Sequence, residues 1–109
     1  MRVIILAAAA GVLGACMPAQ AMEVKIRLSY TDLRLDSREG RAHLRSRVAE
    51  AAQSYCAAHH AEVTPHDSRA DPYYCPDMLR SWIVHEMSPA TRRAYALARR
   101  EAGVRGRRL

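Results

Sequence analysis

Cys56 and Cys75 constrain this chain more than any other residues, because they are the two thiols left once its first 21 residues are set aside. Those 21 residues read as a secretory signal peptide. Met1-Arg2 supplies one positive charge, and Val3 to Leu13 is an unbroken run of apolar and small side chains ending at Gly14. Gly14, Pro18 and Gln20 interrupt that run short of the roughly 20 residues a membrane span needs, so cleavage is the expectation. Two cleavage signals overlap. Ala19-Gln20-Ala21 places small residues just before the first charge of the mature region, Glu23, and predicts a periplasmic or secreted chain beginning at Met22. Leu13-Gly14-Ala15-Cys16 looks like a lipobox, and the alternative is a lipoprotein anchored through Cys16. The Ala21 cut is preferred because strand-forming residues follow it at once, with no tether to space them from a membrane. Either route removes Cys16 from the thiol pool and leaves an even pair in an oxidising compartment, which reads as a disulfide.

The rest of the chain, 22–109, is one small domain by length. A domain of this size hides only about 60 to 68 per cent of its unfolded surface, so a covalent staple matters. A bridge from Cys56 to Cys75 closes a loop of about 20 residues and contributes roughly 3 kcal/mol in the chain-entropy account.

Local patterning predicts a mainly α domain: an N-terminal β-strand followed by two or three helices, with one helix pair stapled by the disulfide. Val24, Ile26, Leu28 and Tyr30 alternate with Glu23, Lys25, Arg27 and Ser29, the signature of a half-buried strand. Its phase slips at Thr31-Asp32, since Leu33 and Leu35 are odd-numbered, so a turn or bulge is expected there. Asp36 or Ser37 then caps a helix in which Leu44, Val48, Ala51, Ala52, Tyr55, Cys56 and His59 share one stripe. Residues 60–75 contain Pro65 and Pro72 and read as a surface loop. Pro76 suits the first position of a second helix, with Met78, Leu79, Trp82, Ile83 and Met87 on its apolar face and Trp82 expected at the centre of the core. Ser88 before Pro89 is placed to cap a third helix, whose Ala90, Ala94, Leu97 and Ala98 share a face, and Gly103 is its stop. A strand on its own leaves backbone groups unpaired. Segment 24–30 is therefore expected to pair with the Leu33 segment, with Val63-Thr64, or with the same strand of a second molecule in a homodimer.

These residues form a pattern. An exported chain of this length, with Ser29-Tyr30-Thr31-Asp32-Leu33-Arg34-Leu35 followed by Gly40, Leu44, Val48, Ala51-Ala52 and Cys56, then Tyr74-Cys75 before a helix and Ser88-Pro89-Ala90, resembles the UrcA family. Arg34, Trp82 and the arginine-rich end depart from the pattern. The resemblance implies a small, exported, disulfide-bearing protein with no assigned biochemical function and no catalytic residues.

Charge points to a class of partner. The formal net charge is +6, and Arg2 leaves with the leader. Arg92, Arg93, Arg99, Arg100, Arg105, Arg107 and Arg108 crowd the end of the chain against Glu101 alone, with a basic tail over about 103–109. Guanidinium groups favour bidentate contact with phosphate or carboxylate, so these seven are the candidate anion-binding residues. In an exported protein the accessible anions are phospholipid head groups, lipopolysaccharide phosphates or acidic proteins, and compartment disfavours nucleic acid. The competing reading is a solvated helix end with a frayed tail.

The other constellation is histidine-rich. His59, His60 and His66 near Cys56 are the ligand types of a periplasmic zinc- or copper-binding protein. No second ligand pair at metal spacing completes a four-ligand set, and a bridged cysteine cannot coordinate, so the expectation is no cofactor. No serine or cysteine nucleophile stands with His85 or Glu86 in a recognisable motif, so no enzyme is expected. Asp32 is expected to accept turn bonds from nearby amides. The reading is thus a non-catalytic interaction module of the cell envelope, with metal binding through His59, His60 and His66 as the alternative.

Overall fold

The fold is laid down along one long helix whose start is set by Ser37. Its hydroxyl accepts from the amide of Gly40 at 3.0 Å and donates to the Arg34 carbonyl at 2.9 Å, which satisfies one of the donors a helix start leaves open. From there α1 runs over Arg38–Val63. The computed structural model describes Ile26 and residues 28–109. Helix α1 is followed by a short 3₁₀ turn, His66–Ser68, and then by α2, Tyr74–Glu86, and α3, Pro89–Glu101. The described residues are thus mainly helical. The signal peptide, Cys16 and residues 24, 25 and 27 of the expected strand lie outside them, and among the described residues, Ile26 and 28–30 included, none is in a β-strand.

Gly40, Leu44, Val48, Ala52 and Cys56 are the buried residues of α1 and recur every fourth position. Four residues overshoot one 3.6-residue turn by about 40°, so such a row winds slowly around the helix. It faces two successive partners. Near its end Cys56 is bridged to Cys75 at the start of α2, and near its beginning Arg41 is paired with Glu101 at the end of α3. Helices α2 and α3 therefore both run antiparallel to α1, one after the other. The core is built from Leu44, Val48, Ala52, Cys56, Cys75, Leu79, Ile83, Met87 and Tyr95.

The stapled helix pair is as the sequence reading expects, with Cys56 and Cys75 Cα atoms 5.9 Å apart, inside the usual range for a bridge. Ser88 caps α3 by accepting from the amide of Thr91 at 3.2 Å, and Pro89 occupies the first turn. Gly103 has φ +67° and ends α3: its amide donates to Arg100 and that of Val104 to Arg99, the paired bonds of a Schellman stop. The amide of Leu33 donates to the Tyr30 carbonyl at 3.1 Å, which makes the expected turn at Thr31-Asp32. Before that turn Ile26, Leu28 and Tyr30 pack against the core and Ser29 is exposed, so the alternation persists in the described part of segment 24–30.

Four local expectations need correction. Helix α1 continues past Cys56 to Val63, bent at His59 (φ −130°, ψ 16°), because Ala57, Ala58, Ala61 and Glu62 favour helix up to the stop at Pro65. Helix α2 begins at Tyr74, which leaves Pro76 still within the first turn, where no backbone donor is needed. Trp82 is 43% exposed, while the buried face of α2 is the Cys75, Leu79, Ile83 row one position along. Ala90 is exposed, and the buried aromatic of α3 is Tyr95 beside Ala98.

Candidate functional site

The basic end of the chain is organised around a bidentate pair. The Nε of Arg41 donates to Oε2 of Glu101 at 3.1 Å and a terminal guanidinium nitrogen binds Oε1, while the other terminal nitrogen donates to the Leu35 carbonyl at 3.2 Å. The two side chains are only 13% and 20% exposed. Arg38 and Arg45 stand on the same side of α1 as Arg41, at helical spacings of three and four residues. Arg38 donates to the Glu101 carbonyl and Arg45 to that of Leu109. The first two turns of α1 thereby grip the end of α3 and the segment beyond it.

That segment, 103–109, is folded back rather than frayed. One terminal nitrogen of Arg99 donates to the Arg108 carbonyl at 2.6 Å and the other to that of Gly106 at 2.7 Å. Arg107 donates to Oδ2 of Asp71 at 2.8 Å and stands 3.6 Å from Oδ2 of Asp77. Leu109 packs against the core.

Of the seven candidate anion-binding arginines, three are therefore engaged within the protein. Arg92 closes the end of α2 by donating to the carbonyls of Val84, His85 and Met87, a favourable place for a cation. Arg99 and Arg107 hold the terminal segment. The other four, Arg93, Arg100, Arg105 and Arg108, are exposed and have no hydrogen-bond or ion-pair partner among the described residues. Arg93 and Arg100 lie seven residues apart on one stripe of α3, about 10.5 Å along its axis. Sequence reading missed the internal roles because it counted charges rather than partners. The spacing of Arg38, Arg41 and Arg45, facing a lone Glu101, was the available signal.

The histidines do not converge. His59 sits at the bend in α1, its Nδ1 3.1 Å from Oε2 of Glu62 and its ring tilted at 37° against that of Tyr55 with centroids 4.6 Å apart. His60 is half-buried and His66 exposed on the 3₁₀ turn. Among the described residues no three His, Cys, Asp or Glu side chains form a metal-holding group, and the Cys56 sulfur is committed to the bridge. Asp32 also differs from expectation. Its carboxylate takes both terminal nitrogens of Arg47, one at 2.7 Å, and Arg47 also donates to the Ser29 carbonyl at 2.9 Å, which fastens the extended segment to α1. Beside it lies an open hollow of about 600 Å³ lined by Leu28, Ser29, Tyr30, Thr31, Leu35 and Thr91, hydroxyl-bearing and apolar side chains without a charged group.

Four carboxylates are held below their ordinary range by a guanidinium partner: Asp32 to about 2 by the Arg47 hydrogen bonds, Glu101 by Arg41, Asp36 by Arg34, whose terminal nitrogen donates to its Oδ2 at 3.2 Å, and Asp71 by Arg107 with help from the Tyr73 amide. A lowered folded-state pKa means that the unfolded chain takes up protons first as pH falls. The stabilisation is therefore complete above the ordinary carboxylate range, about 4, and is lost on the way down through about 2. Thermal midpoints measured across a pH series are expected to be level near neutrality and to fall over that acidic window. Asp32→Asn is expected to lower the neutral plateau and flatten the acid limb, and an unchanged limb would show that the Arg47 contact is immaterial to stability.

No protein-family model matches the chain, and no curated protein or solved structure matches it. No described helix is long and apolar enough to cross a membrane.

Proposed function

We propose that this chain is a UrcA-like exported protein that works without catalysis, binding an anionic component of the cell envelope through the arginines around the end of α3. The observation that carries the reading is the division of labour among those arginines. Glu101 is committed to a bidentate pair with Arg41, and the exposed Arg93, Arg100, Arg105 and Arg108 have no ion-pair partner among the described residues. Guanidinium groups left in this way bind phosphate or carboxylate in preference to water alone. Support for a place outside the cytoplasm comes from the leader-like residues 1–21 and from the bridged Cys56 and Cys75. The family reading rests on the motif residues from Ser29 to Leu35 and on the cysteine spacing. Phospholipid head groups and lipopolysaccharide phosphates are the anions such a compartment offers.

Vesicle sedimentation tests this. The protein is expected to bind vesicles of phosphatidylglycerol and phosphatidylcholine, to ignore vesicles of phosphatidylcholine alone, and to release as salt shortens the screening length. Each surface arginine is worth about 1 kcal/mol near an anionic bilayer, so the triple variant R100Q/R105Q/R108Q is expected to bind at least tenfold more weakly, roughly. Equal binding to both vesicle types, or a triple variant that binds like the parent, would remove the proposal.

A further inference from the structure

Among the described residues Arg107 is the one basic-tail side chain held by carboxylates from elsewhere in the chain. Its guanidinium meets Oδ2 of Asp71 and of Asp77, on either side of Cys75. Asp77 is shared: its Oδ1 accepts from a terminal nitrogen of Arg80 at 2.6 Å, so one carboxylate bridges two guanidinium groups, as a phosphate does. The buried Nε of Arg80 has no acceptor among the described residues. Two arginines with unused donor capacity thus flank acidic groups that belong to the protein itself. The contact is also exposed enough to exchange, with Arg107 48% and Asp71 36% accessible.

We propose that Asp71 and Asp77 occupy Arg107 in place of an external phosphate-class anion, which makes 103–109 a strap that hides part of the basic surface until it is released. This rests on the anion-binding reading above and deepens it. Closure is held by the Asp71 and Asp77 contacts, by the two Arg99 bonds to the strap backbone and by Arg45 on the Leu109 carbonyl. An anion that engages Arg107 competes with the first of these directly. Once Arg107 leaves, it joins Arg105 and Arg108 on the same short segment, which raises the number of guanidinium groups presented together.

Asp71→Asn is the informative substitution. It removes the charge yet keeps the side-chain oxygen that accepts from the Tyr73 amide, so the turn before α2 is preserved. An exposed ion pair biases an equilibrium by up to about fivefold. In D71N, amide exchange over 104–109 is expected to accelerate by up to about that factor, and binding to phosphatidylglycerol-containing vesicles to strengthen by a similar factor. The double variant D71N/R107Q is expected to keep the faster exchange and lose the gain in binding. Unchanged exchange in D71N overturns the strap, and faster exchange without stronger binding overturns the masked site. A parent protein that does not discriminate anionic from neutral vesicles defeats the function proposed above, whereas a parent that discriminates and a D71N that matches it defeats only this inference.

Discussion

Removing the bridge by Cys56→Ala with Cys75→Ala lowers the free energy of unfolding by roughly 3 kcal/mol, the chain-entropy value for a loop of about 20 residues. That is a large fraction of the about 5 to 15 kcal/mol that keeps a typical domain folded. The cause lies mostly in the unfolded chain, which regains the freedom of the segment between α1 and α2. Urea titration separates this from lost packing, because a released loop exposes more surface and raises the slope with denaturant as well as lowering the midpoint. Both sulfurs are shielded, Cys56 at 7% and Cys75 at 0% exposure, so reductant acts only on molecules that have opened. A loss under about 1 kcal/mol would mean that helix packing alone holds the hairpin, well below what the loop-closure account requires.

Gly40→Ala is expected to be nearly as damaging, against the ordinary rule that alanine is the better helix former by about 1 kcal/mol. A Cβ at this position falls 1.9 Å from the Arg34 carbonyl oxygen and 2.6 Å from its carbon. Both atoms are backbone, and the same carbonyl accepts from the amide and the hydroxyl of Ser37, so relief requires the turn before α1 to move away and loosen the cap. Overpacking of this kind costs about 1 to 3 kcal/mol. The expected result is a lower thermal midpoint for G40A, accompanied by faster amide exchange at the start of α1. A midpoint above the parent's would show that the Arg34 carbonyl has room to retreat.

These two sites also show what the residues announced and what they withheld. The bridge followed from parity of cysteines and compartment, and the α3 boundaries from Ser88-Pro89 and Gly103, because such signals act within a few residues. Trp82 was misplaced because an apolar stripe on a short helix has two edges. Which edge turns inward depends on the winding row of α1, a property of the partner helix and not of α2. The extension of α1 beyond Cys56 was hidden by histidines and by an expected loop, although the alanines there are strong helix formers. At the basic end, composition identified the right residue type and the right region. It did not separate Arg92, Arg99 and Arg107, which close helix ends and hold the strap, from Arg93, Arg100, Arg105 and Arg108, since that division depends on carbonyls and carboxylates brought near only by the fold.

The order in which α1 meets its two partners has a consequence for biogenesis. A polypeptide made from its amino end first presents the Gly40 to Val48 half of the apolar row long before the helix that covers it exists, because Arg41 waits sixty residues for Glu101. A chain ending after α2 keeps the Cys56–Cys75 bridge at one end of α1 and leaves the Gly40 to Val48 end without the helix that carries Glu101 and Tyr95.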